Sequence, residues 1–149
     1  MRDTYKVWEE PGGLPDFVLE IVSPATWRAD LGFKRDLYAA LGVGEYWLHD
    51  PYANFMHPAL AGYRLVGRAY EPIPGNESPD GALTMHSETL GLDLCLHGEN
   101  LRFFDPVRGE YLLYRAEVLN EARAAKAEVR AAAARIAELE RAIAEKRGN

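Results

Sequence analysis

A glutamate in an otherwise apolar strand is the first place to look for chemistry in this sequence. From Phe17 to Ser23 every residue except Glu20 and the closing Ser23 is apolar. That is the pattern of a strand buried on both faces rather than one with a wet side. An ionised carboxylate there is costly unless a cation, a metal ion or a proton meets it, so Glu20 marks a candidate site. The competing reading is a satisfied structural acid paired with Lys34 or Arg28. Lys34 lies on the helical segment that follows, where a solvated lysine is the ordinary alternative. Asp16 shares the strand face of Glu20, but four residues at about 3.3 Å each put them about 13 Å apart, too far to grip one metal ion together. Asp30 suits a helix cap, and Asp50, before Pro51, suits a turn. Ser23 and Thr26 could contact phosphate and Trp27 and Trp47 could stack on bases, against the plainer roles of turn formation and core packing.

The elements that must position these groups follow from local signals. After the first strand comes a Ser-Pro loop, then a helix with apolar positions at Leu31, Phe33, Leu37, Tyr38 and Leu41, stopped by Gly42 and Gly44. Glu45 to His49 reads as a second strand. This β-α-β order implies a right-handed crossover and a parallel pair in a mixed sheet. Farther on, Gly62 to Val66 with Ala69 to Ile73, and Gly91 to Leu96 with Leu101 to Phe104, read as two hairpins. Pro72 to Asp80 reads as a loop, and Tyr111 to Leu113 follows another turn.

The tail is a different object. Val118, Ala122, Ala125, Val129, Ala132, Ile136, Leu139 and Ile143 alternate in steps of four and three, a heptad seam that points to a coiled coil and to self-association through this helix. A solitary charged helix is the alternative, since Ala, Glu, Arg and Lys form helices whatever the partner. The chain thus divides into a lead-in at 1–13 with a short Tyr5 to Trp8 run, a globular body at 14–113 and a helix at 115–147.

Composition narrows the function classes. The 149 residues carry a net charge of −6. Residues 1–114 hold nine Lys/Arg against seventeen Asp/Glu, whereas 115–149 hold eight against six. An acidic body argues against broad nonspecific nucleic-acid binding, although Arg28, Lys34 and Arg35 form a basic cluster near Glu20. A single cysteine, Cys95, excludes an intrachain disulfide, and the four histidines show no metal-ligand spacing. No apolar run is long enough for a membrane span and Met1 to Glu10 lacks a secretory core, so the expectation is a cytoplasmic protein without membrane association.

Pro15-Asp16, Glu20 to Thr26, Asp30, Lys34, Tyr38, Gly42-Val43, Glu45-Tyr46-Trp47 and Asp50-Pro51 together resemble the signature of the Uma-type restriction endonuclease family, placed among the PD-(D/E)xK nucleases. The resemblance spans Leu14 to Pro51. It implies an α/β fold of restriction-endonuclease-like type, with a mixed sheet, a β-α-β core and antiparallel hairpins, to which the long C-terminal coiled-coil helix is added. It also implies Mg2+- or Mn2+-dependent hydrolysis of DNA phosphodiesters. Glu20 matches the second metal-binding carboxylate. A strict pattern would put the catalytic lysine at position 22, which is Val22, so the resemblance points to Lys34 on the following helix. Asp16 is left as an outer acid at the strand entrance.

The first carboxylate of such a site comes from an earlier strand. Only thirteen residues precede Leu14, so the expectation is a chain shortened at its N-terminus. Glu9 and Glu10 are weak substitutes beside Pro11-Gly12-Gly13. Impaired catalysis follows, with a non-catalytic assembly module as the alternative function.

Overall fold

The computed structural model describes residues 13–147, with side chains described as far as 144. The Tyr5 to Trp8 run, Glu9 and Glu10 lie outside the described residues. The chain separates into two compact units, residues 1–112 and 113–149.

The first unit is mixed α/β. Strand β1 (Phe17–Ile21) leads through a π-helical turn (Ala29–Phe33) into helix α1 (Lys34–Leu41) and back to β2 (Glu45–His49). β1 and β2 are parallel, with Glu20 opposite Leu48, as the β-α-β pattern predicts. β2 is antiparallel to β3 (Leu60–Val66), which turns at Gly67 into β4 (Ala69–Pro72). These make a four-stranded sheet in the order β1-β2-β3-β4. A second, antiparallel sheet runs β5 (Gly75–Glu77), β6 (Leu83–Ser87), β7 (Leu92–His97), β8 (Asn100–Asp105) and β9 (Glu110–Tyr111) in sequence order. The loop expected at Pro72 to Asp80 therefore contains a short strand, which pairs with β6.

Alternation along β2 builds two cores. Trp47 packs with Leu60, Ile73, Met85, Leu94 and Leu96 between the sheets. Tyr46 and Leu48 point the other way, against Val22, Met56, Leu31 and Tyr38 beneath the helix. All five residues of β2 are buried. The strand buried on both faces is thus β2, not β1 as its apolar run suggests. Among the described residues β1 has one neighbour, its residues are only partly covered and Ile21 is 53% exposed. The helix face also differs from expectation, because Phe33, Leu37 and Leu41 are exposed while Leu31 and Tyr38 reach the core. The exposed three recur every fourth residue on one face, while Leu31 and Tyr38, seven apart, share another, and Gly42 ends the helix with a left-handed φ of 83° that a residue with a Cβ would resist.

Two contacts hold β2 in register with its surroundings. Gly62, opposite Trp47, leaves room for the indole, since a Cβ there would lie 2.6 Å from the ring. Glu45, fully buried, ties the sheets together. It accepts hydrogen bonds from Trp47 Nε1 (3.0 Å), Ser87 Oγ and the Glu88 and Thr89 amides (2.9 and 3.3 Å), with Arg64 Nη2 at 3.6 Å. Burial alone would raise its pKa, but the hydrogen bonds from Ser87, Trp47, Thr89 and Glu88 outweigh it and hold the carboxyl below its ordinary value of 4.5.

The second unit contains α2 (Arg115–Arg147), whose Tyr114 amide donates to Glu117 Oε2 at 2.6 Å in a capping contact. Among the described residues no helix is long and apolar enough to cross a membrane.

Gly62→Ala forces the added methyl into the Trp47 ring and is expected to cost about 1–3 kcal/mol in urea unfolding; an unchanged midpoint would show that β3 shifts freely. Glu45→Ala strands several donors and is expected to cost about 3–5 kcal/mol at neutral pH. A carboxyl held low contributes stability that is present above pH 4.5 and lost as pH falls through the folded value. Thermal melts of the Glu45→Ala variant should therefore show a smaller loss on acidification than wild type, and an equal loss would refute this role for Glu45.

Candidate functional site

An ion-paired cluster forms where the C-terminal end of β1 meets the start of α1. Ser23 and Thr26 set the approach: the Thr26 and Trp27 amides donate to the Ser23 carbonyl at 3.1 and 3.0 Å, and the two hydroxyls meet at 2.9 Å. The chain then enters its π-helical turn, where the Lys34 amide bonds to the carbonyl of Ala29, five residues back. Such turns insert one residue into a helix and often accompany functional positions. Here the turn carries Asp30 into the protein interior and sets Lys34 at the beginning of α1.

Lys34 Nζ lies 3.0 Å from Glu20 Oε1 and 2.7 Å from Asp30 Oδ1. One ammonium thus holds two carboxylates from different segments. Tyr38 donates its hydroxyl proton to the same Glu20 oxygen at 3.0 Å, and Tyr46 donates to the Asp30 backbone carbonyl at 2.9 Å. The Asp30 side chain is wholly buried, and Oδ2 has no hydrogen-bond partner among the described residues. Glu20 and Lys34 are 22% and 28% exposed, so solvent reaches both charged groups while Asp30 stays covered.

The electrostatics follow from this packing. Burial lowers the Lys34 pKa, but hydrogen bonds and charge from Asp30 and Glu20 outweigh it and hold the ammonium above its ordinary 10.5. Lys34 is therefore a fixed cation at neutral pH, able to stabilise negative charge and not to act as a base. Burial first, and then the hydrogen bond to Glu20, raises Tyr38 above its ordinary value. Tyr46 is raised by burial, with smaller contributions from the charges of Glu20 and Asp30.

The structure brings Glu20 and Lys34 together and leaves Asp16 elsewhere. Asp16 is exposed just before β1, where its carbonyl accepts the Glu45 amide at 2.8 Å, four residues from Glu20 along the strand. Asp30 is not a helix cap: the helix begins before it, no capping side-chain bond forms, and its carboxylate faces Lys34 instead. Asp50 is a turn acid, accepting the Phe55 and Met56 amides at 2.6 and 3.0 Å. Trp47 packs the core, while Trp27 stacks on Phe55 with ring centroids 5.5 Å apart. Sequence reasoning missed Asp30 and Tyr38 as members of the site, although Asp30, Lys34 and Tyr38 recur every fourth residue and so were placed to meet on one face.

The family model Uma2, described as "Putative restriction endonuclease", matches residues 1–97. The chain belongs to the Uma2 family. A search of curated proteins finds no match. The Uma2 match covers β1 through β7 and every residue of the cluster, and it ends before α2.

Whether the cluster suits the divalent ion of restriction-endonuclease-like chemistry turns on its donors. Two carboxylates converge on a point where a cation already sits, and one buried oxygen is unsatisfied. Hard oxygen donors of this kind suit Mg2+ or Mn2+, which need only one or two carboxylates when water and phosphate complete the shell. Among the described residues no group of three or more His, Cys, Asp or Glu could hold a metal. Of the two carboxylates, Glu20 is the one that solvent reaches.

On the adjacent face of α1 lies a groove of about 650 Å³ against β4, lined by Arg35, Asp36, Ala39, Arg68 and Tyr70. It places two guanidinium groups beside the helix that carries Lys34.

Lys34→Met leaves the Asp30 carboxylate buried without its cation and is expected to cost about 3–5 kcal/mol in denaturant unfolding. Adding Asp30→Asn should recover part of that loss. Equal costs of Lys34→Met with and without Asp30→Asn would show that the two side chains are not coupled. Because the Lys34 pKa is raised, this pairing contributes fully below pH 10.5 and fades above it.

Proposed function

We propose that this Uma2 protein is a cytoplasmic, divalent-metal-dependent endonuclease that hydrolyses DNA phosphodiester bonds. The observation that carries this reading is the 3.0 Å contact between Glu20 at the end of β1 and Lys34 at the start of α1. A partly exposed carboxylate and a permanently charged lysine meet at one point, within the segment matched by a restriction endonuclease family.

In this reading Glu20 holds Mg2+ or Mn2+, and the remaining coordination comes from water and substrate phosphate. A bound ion would neutralise phosphate charge and lower the pKa of a coordinated water. Lys34 is the catalytic lysine, and its ammonium stabilises the negative charge that grows on the phosphoryl oxygens. Asp30 is a positioning residue, since it is buried and acts through Lys34. Asp16 remains an outer acid that does not touch the ion. Arg35 and Arg68 offer the neighbouring groove to the DNA backbone. The chain self-associates through α2.

A second reading is a non-catalytic assembly module in which Glu20, Asp30 and Lys34 form a structural ion-paired cluster. The observation favouring it is the lack of a third metal-binding side chain among the described residues.

Isothermal titration of Mn2+ separates the two. The nuclease reading expects binding in the micromolar range that Glu20→Gln removes and Asp16→Asn leaves in place, with Mg2+-dependent nicking of plasmid DNA following the same pattern. An absence of heat with wild type would favour the assembly module, and nicking that survives Glu20→Gln would sink the role given to that residue.

A further inference from the structure

The α2 seam is apolar and uncovered. Val118, Val129, Ile136, Leu139 and Ile143 are all between 48% and 69% exposed, on a helix of 33 residues. From the four-three spacing, Ala122, Val129, Ile136 and Ile143 take the a positions of a heptad and Val118, Ala125, Ala132 and Leu139 the d positions. β-branched residues at a with leucine at d favour two parallel strands. In this helix that combination occurs at Ile136, Leu139 and Ile143, while the alanines before them let two helices approach closely.

The charges flanking the seam distinguish the possible orientations. In a parallel, in-register pair each g residue faces the e residue of the partner's next heptad. Glu121 then meets Lys126 and Arg135 meets Glu140, each pair formed twice by symmetry, and Glu128 faces the neutral Ala133. In the antiparallel register that aligns the same eight seam positions, g faces g and e faces e. Only Glu128 then meets Arg135, while Glu121 faces Ala142 and Lys126 faces Ala133. Neither arrangement opposes like charges, and the parallel one makes twice as many attractive pairs. In the single helix Arg135 already turns to Glu138, with Nη1 to Oε2 at 2.9 Å, an exposed contact worth little and readily exchanged for an interhelical one.

We infer that α2 pairs with α2 of a second copy of this chain as a parallel, in-register, two-stranded coiled coil. The inference rests on the self-association stated above and specifies its partner, strand number and direction. It does not depend on the nuclease reading.

The test uses the full chain. Sedimentation equilibrium of wild type is expected to give the mass of a dimer. Leu139→Cys is expected to form an intermolecular disulfide in a glutathione buffer, while wild type, whose Cys95 is buried, forms none. In the antiparallel register position 139 lies opposite Ala122, so the two cysteines would be about 25 Å apart along the helix at 1.5 Å per residue, far beyond disulfide reach. Glu121→Lys is expected to weaken the dimer about tenfold at low salt, and Glu121→Lys with Lys126→Glu to restore it. A monomeric wild type overturns both the self-association and this inference. A dimer that does not crosslink at position 139, or that ignores the change at Glu121, overturns the parallel direction alone. A mass above that of a dimer overturns the two-stranded geometry.

Discussion

A carboxylate with no access to water has to be neutralised by something the chain itself supplies, and at Asp30 that group is the ammonium of Lys34. Much of the local architecture is arranged around this requirement. The π-helical turn places the acid inward and the lysine one turn on. Tyr46 anchors the turn by its backbone carbonyl, and Tyr38 reaches over the lysine to the second carboxylate, Glu20. Because one cation serves two acids, β1 and α1 are coupled by charge as well as by the apolar contacts of Leu31 and Tyr38. That coupling gives the site its chemical character, with a lysine that stays charged and a glutamate whose position is dictated by two donors.

Three further acids show how differently the same constraint can be met. Glu45 is as buried as Asp30 but gathers donors from both sheets, Trp47 and Arg64 from its own and Ser87 and the Glu88 amide from the other, so it serves as a tie between layers. Asp50 spends its charge on two amides in the turn after β2. Glu20 alone among them keeps a solvent-reachable carboxylate beside a cation. Carboxylates that the fold covers to different degrees thus differ most in their partners, and only those of Glu20 leave an oxygen accessible to something that is not protein.

Much of the fold was legible because local rules and tertiary packing agree. The parallel β1-β2 pair, the β3-β4 and β7-β8 hairpins and the long C-terminal helix follow from periodicity and turn residues. Where the reading differs, a tertiary cause is visible. The apolar run of β1 predicts burial on both faces, yet burial depends on neighbours, and the strand with neighbours on both sides is β2. Phe33, Leu37 and Leu41 recur every fourth residue on one face, and Leu31 and Tyr38 lie seven apart on another, and it is the second face that meets the core. Strand β5, rich in turn formers, exists because β6 offers it a partner.

The candidate site divides along the same line. Residue types and spacing alone marked Glu20 as an acid out of place and gave α2 its heptad seam, since both depend only on which residues stand near one another along the chain. The likeness to a nuclease signature named Lys34 as the lysine to watch. Tertiary structure decided that Lys34 reaches Glu20, that Asp30 is its buried counter-ion rather than a cap, and that Asp16 stays apart. The four-residue spacing of Asp30 and Lys34 is local and lets the two meet, but the reach of Lys34 to Glu20 across segments and the exclusion of water from Asp30 are properties of the packed molecule, which no local pattern encodes.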